Sequence, residues 1–153
     1  MANVATKATI ESLVPYFAEG AADIVRALWR SLPLDVQQSD NLLLYTFDDL
    51  STTKQEVDDT AGARPLMFIV KSGGTKCWIH VYNADADNVT EGVDVDFVVP
   101  VAGTSGELTC LLCLGASWDR FWDTGLTVSA STATETSAAP TNKPDVFIVY
   151  AGS

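Results

Sequence analysis

Positive charge is scarce in this 153-residue chain: nine Lys and Arg stand against twenty Asp and Glu, with one His, for a formal charge of −11. Such a surface repels phosphate backbones and anionic lipid, so neither nucleic acid nor a membrane is an expected partner. Cysteine is nearly as sparse. Cys77, Cys110 and Cys113 cannot all pair, and a chain of this length buries an adequate core without disulfides, so synthesis in a reducing cytoplasm is expected. Long apolar runs are also missing, none approaching the roughly 20 residues that span a bilayer. The opening Met1-Ala-Asn-Val-Ala-Thr-Lys7 leads to Thr9 and Glu11 where an export signal needs a continuous apolar stretch. What remains is 47% apolar and 19% charged, the composition of an ordered globular chain.

The chain divides in two. Ile10, Leu13, Val14, Phe17, Ala21, Ile24, Val25, Leu28 and Leu32 recur at spacings of three and four, an apolar helical stripe from which Glu11, Glu19, Asp23, Arg26 and Arg30 mostly fall away. Pro15 and Gly20 interrupt it, which predicts a short helical turn followed by a firmer helix over 21–31, stopped by Pro33. A stripe does not say whose core it joins. Covering an open side of its own domain and docking on a neighbouring subunit both satisfy it.

After Pro33 the period becomes extended. Runs at 42–47, 66–71, 76–83, 94–101, 108–114, 126–131 and 145–151 are rich in Val, Ile, Leu, Phe, Tyr and Thr, with Gly, Pro, Asn and Ser turns between them. Residues 66–70 and 146–150 are apolar on both faces, as central strands covered twice would be. In 126–131 apolar residues alternate with hydroxyls, and eight of the fifteen residues from 127 to 141 are Ser or Thr. That tract reads as an edge strand with outward hydroxyls running into a long loop. The expected fold is mainly β: an antiparallel, jelly-roll-like β-sandwich over 36–153, preceded by an N-terminal amphipathic helical arm over 1–35.

Few residues carry a chemical signature. Cys110-Leu-Leu-Cys113 has the spacing of zinc and redox sites, but in an extended strand residues three apart point to opposite faces, so buried structural cysteine is expected. His80 shares a strand face with Trp78 and Tyr82, and no nucleophile or orienting acid accompanies it. Gly115-Ala-Ser117-Trp-Asp119 lacks the second glycine of a nucleophile elbow. Asp85, Asp87, Asn88, Glu91, Asp94 and Asp96 offer oxygens at near-alternate positions, yet depart from a calcium loop in lacking its central Gly and terminal Glu. A solvated acidic loop is the expectation, and no catalytic residue, metal or cofactor is assigned. No carboxylate pair stands out, so an enzyme is not expected. Trp118-Asp119-Arg120-Phe121-Trp122 is different: Trp and Arg dominate protein–protein contact energy, and aromatics also stack on sugars.

Six phrases support a resemblance: His80-Val-Tyr-Asn83, Gly92-Val-Asp94, Phe97-Val-Val-Pro100, Phe121-Trp-Asp-Thr-Gly125-Leu126, the Thr-rich 127–136 and 146–150. In this order they resemble a group of small structural proteins encoded by tailed bacteriophages and prophages, over roughly two-thirds of the chain. Val95-Asp96, where a proline often follows the turn, and the region of Trp118 depart from the pattern, and the helical first third lies outside it. The resemblance implies a non-catalytic β-sandwich virion component made in the host cytoplasm. One form is an outer capsid decoration (cement) protein, a homotrimer bridging copies of the major capsid protein. The alternative is a neck, tail or baseplate part, or a virion protein that grips host-surface glycan. Apart from the resemblance, the helical stripe and the Trp118–Trp122 phrase make Phe17, Ile24, Leu28, Trp29, Trp118, Arg120 and Trp122 the residues expected at a protein interface, and in the glycan-gripping alternative the same aromatics meet sugar.

Overall fold

The computed structural model describes residues 3–4, 11, 21–32, 42–59, 63–112 and 124–151. Along them run β1 (Asn3–Val4), α1 (Ala21–Ser31), β2 (Leu42–Phe47), β3 (Gln55–Asp58), β4 (Arg64–Lys71), β5 (Cys77–Tyr82), a 3-10 turn (Ala86–Asn88), β6 (Phe97–Val101), β7 (Leu108–Leu112), β8 (Leu126–Ser131) and β9 (Asp145–Ala151). One sheet has the order β1-β2-β9-β4-β7 and the other β3-β8-β5-β6. Every pairing is antiparallel. From β2 to β9 each connection except β5–β6 passes from one sheet to the other, which is the eight-stranded jelly-roll path. The expected β-sandwich with an N-terminal helix is the fold observed.

Two apolar layers hold it. Between the sheets, Tyr45, Phe68, Val70, Val146, Ile148 and Tyr150 meet Val57, Cys77, Ile79, Val81, Val99, Leu126 and Val128. The other face of the first sheet is apolar as well, with Leu42, Leu44, Leu66, Met67, Ile69, Phe147 and Val149 buried beneath Trp29 and Leu32. This is why β4 and β9 read as apolar on both faces: they are central strands, covered by the second sheet on one side and by α1 on the other. A register shift between Pro65 and Met67 lets the consecutive Leu66 and Met67 join the same outer layer. Arg26 of α1 makes a bidentate ion pair with Glu11 at 2.6 and 2.7 Å, holding residue 11 against the helix.

One expectation is corrected. β8 is no edge strand; it lies between β3 and β5, and Thr127, Ser129 and Ser131 are buried. Their hydroxyls are satisfied internally, Thr127 donating to the Ala84 carbonyl at 2.8 Å and Ser131 to the Thr136 carbonyl at 2.6 Å. The long Ser/Thr loop supplies the partner of Ser131, the 83–96 loop that of Thr127, and Tyr82 of β5 lies 3.2 Å from Ser129 Oγ. The strand at that margin is β3, whose single buried residue is Val57 among Gln55, Glu56 and Asp58. Charge blunts that edge, and the exposed Pro100 blunts β6 at the opposite margin.

Candidate functional site

The outer face of the second sheet carries a buried polar cluster. Strand alternation puts His80 and Tyr82 of β5 beside Ser129 of β8, whose register pairs His80 with Ser129. His80 Nε2 lies 2.7 Å from the Ala133 carbonyl, which can only accept, so Nε2 carries the proton. Nδ1 then accepts from the Tyr82 hydroxyl at 3.3 Å. The Tyr82 oxygen in turn accepts from the Gly92 N–H at 2.8 Å and lies 3.2 Å from Ser129 Oγ. His80 is fully buried, and desolvation lowers its pKa against a smaller upward pull from the Ala133 carbonyl.

This cluster pins two loops. The 132–138 loop is held by His80 at Ala133 and by Ser131 Oγ, which accepts the Ala138 N–H at 3.0 Å. The 83–96 loop is held by Tyr82 at Gly92 and by Asp96, whose carboxylate accepts the Asn83 N–H. Gly92 sits at φ +79°, and a Cβ there would lie 2.5 Å from the backbone of Thr136 and Ser137. Only glycine lets the two loops approach so closely.

Between the loops lies a groove of about 600 Å³, lined by Gly92, Val93, Asp94, Val95, Phe97, Val98, Thr134 and Glu135. Val93 is 52% exposed, and Asp94 and Glu135 are exposed beside it. Asp94 is held at φ +53°. Phe97 forms part of the groove and also packs edge-on against Phe68 of the core, ring centroids 5.7 Å apart. A smaller, more polar recess of about 240 Å³ adjoins, sharing Val93 and Asp94 and including Asn83 and Asp96.

The acidic loop is structured by its carboxylates. Asp85 caps the 3-10 turn by accepting from Asn88 N and Nδ2 at 3.1 and 2.8 Å. Glu91 accepts the Lys54 N–H at 3.3 Å, and hydrogen bonds from its own backbone and from Lys54 hold its pKa below the usual carboxylate range. Among the described residues no group of three His, Cys, Asp or Glu side chains could hold a metal. Cys77 faces the core, where burial pushes its thiol up to about 11, and burial also raises the half-buried Cys110. Neither has the thiolate character of a nucleophile or metal ligand at neutral pH.

Of the seven residues expected at an interface, the structure describes the side chains of Leu28 and Trp29. Trp29 is buried against the chain's own first sheet and Leu28 packs partly on the same layer. Ile24 lies on α1, but its side chain is outside what the structure describes. Phe17, Trp118, Arg120, Trp122 and Cys113 lie outside the described residues. The groove was not singled out in the sequence because 94–101 reads as continuous strand. Its signal is the alternation Val93, Val95, Phe97 with Asp94 and Asp96, which extends past the ladder's start at Phe97.

No family model matches the chain, and no curated protein matches it. Among solved structures, a chain of the capsid of Ralstonia phage GP4 aligns with a TM-score of 0.39 and 14% identity, over 80% of this chain and 89% of that one.

Proposed function

We propose that this protein is a structural component of a tailed-phage virion, a decoration protein on the outside of the capsid that bridges major-capsid subunits as a homotrimer. The observation that carries the reading is the hydrogen bond from Gly92 N–H to Tyr82 Oη, which ties the first two phrases of the phage resemblance together in space. The third phrase forms β6, and the last two fall on β8, its following loop and β9. Five of the six phrases therefore fall on strands of the sandwich or on the loops that join them. A jelly roll by itself hosts many functions, so the fold is compatible with the proposal without selecting it. The charge of −11 suits an outer coat, where identical acidic particles stay soluble until a specific contact forms.

In this reading the outward face of the N-terminal arm, whose Trp29 and Leu32 pack on the chain's own first sheet, and the segment containing Trp118, Arg120 and Trp122 supply contact area, and closed rotational symmetry satisfies it. Counting copies in purified particles and imaging them at subunit resolution tests the proposal. Hundreds of copies on the head support decoration. A dozen or fewer at the neck or tail would replace decoration with the alternative virion role, and absence from particles would overturn both.

A further inference from the structure

Resting on that reading of the chain as an assembly component, we infer that the groove between residues 92–98 and 134–135 docks a basic, aliphatic segment of a partner protein. Its walls are Val93, Val95, Phe97 and Val98, and its volume of about 600 Å³ takes several side chains. Val93 is the large apolar residue left exposed among the described residues. Asp94 and Glu135 stand among the apolar walls, and among the described residues no Lys or Arg lines the groove. That pairing of apolar wall and carboxylate complements Lys or Arg flanked by aliphatic side chains, whose stems cover apolar surface while the charged head meets a carboxylate.

Two further features shape the site. The walls are preorganised, since Gly92 and Ala133 are both anchored to the His80–Tyr82 cluster, so docking loses little loop entropy. The exposed Pro100 has no N–H, which stops strand addition from running along β6. Recognition therefore falls to side chains in the groove.

The test uses the full chain, labelled with nitrogen-15, titrated with the blocked peptides Lys-Val-Lys-Leu-Lys and Glu-Val-Glu-Leu-Glu. The basic peptide is expected to shift amides at 92–98 and 134–135 and to bind more weakly as salt rises. Asp94→Asn combined with Glu135→Gln should weaken it about tenfold, the scale of two exposed charge contacts. Asn tolerates the positive φ at 94, so that variant keeps its fold, and unchanged amide spectra elsewhere verify this. Equal binding of the acidic peptide, shifts spread over the surface, or indifference to the double substitution would each overturn the inference.

A second arm uses particles assembled without the protein. Loss of rebinding by the double variant alone supports the groove. Rebinding of variant and wild type alike overturns the groove while the virion reading stands. If wild-type protein neither occurs in particles nor rebinds, the virion reading fails and with it the assembly role of the groove.

Discussion

His80 shows how one buried side chain can couple the fold to pH. Because desolvation lowers its folded-state pKa, the unfolded chain takes up a proton near pH 6.5 before the folded one does. Its contribution is fully present above that pH and is lost as pH falls through the lower, folded value. Melting temperature should therefore decline as pH falls below about 6.5. His80→Gln, which keeps a donor toward Ala133, should flatten the profile there, and an unchanged slope would remove His80 as its cause. Tyr82→Phe should cost about 1–3 kcal/mol in chemical denaturation, the penalty for stranding the buried Gly92 amide. Gly92→Ala must fail more severely, since a positive φ and a close backbone contact act together.

At the scale of elements, α1 is the decisive case. Among the described residues, Trp29 and Leu32 of the helical segment cover the outer face of β2, β9 and β4. Trp29→Ala should lower stability by about 3–5 kcal/mol. Removal of residues 1–32 should expose this face to hydrophobic dyes and promote aggregation, and a monomeric, dye-silent truncated chain would show that the helix is dispensable to the core. The helix itself was legible, its bounds of 21–31 matching the spacing of its stripe and the break at Gly20. Its destination was not, because a stripe records only that something apolar covers it. β2, β8 and β9 were equally plain in their residue runs. β3 was hidden because its four residues include one buried apolar side chain. β8 was found but misplaced: alternation of hydroxyls and aliphatics marks two faces, whereas pairing with β5 and the two loops that return over it determine that the hydroxyl face is sealed.

For the whole molecule, the two sheets and α1 make a three-layer body on one side and a loop-covered sheet on the other. The candidate site arises where the 83–96 and 132–138 loops meet, from residues about forty apart in sequence, Asp94 and Glu135 among them. No local pattern announces such a meeting, so its components read separately as a strand start and a Ser/Thr tract. The cluster beneath was half visible, His80 and Tyr82 sharing a face by parity alone, while Ser129 and Ala133 entered through β8 pairing and the loop return. At the level of assembly, the acidic charge predicts that added salt weakens repulsion between copies. If homotrimers form, sedimentation should show them strengthening with ionic strength, opposite in sign to the salt response of the basic peptide in the groove.

Cys77 also gives this molecule an internal clock. Its sulfur is buried in the inter-sheet layer, the residue 1% exposed, with its ionisation raised to about 11. Alkylating reagents can reach it only when the two sheets part, so its labelling rate in native buffer times how often the sandwich opens. A thiol that modifies as fast as a free peptide would mean the sheets breathe freely. Slow capture, accelerated by Trp29→Ala, would show that the helix on the far side of the first sheet governs how long the sandwich stays shut.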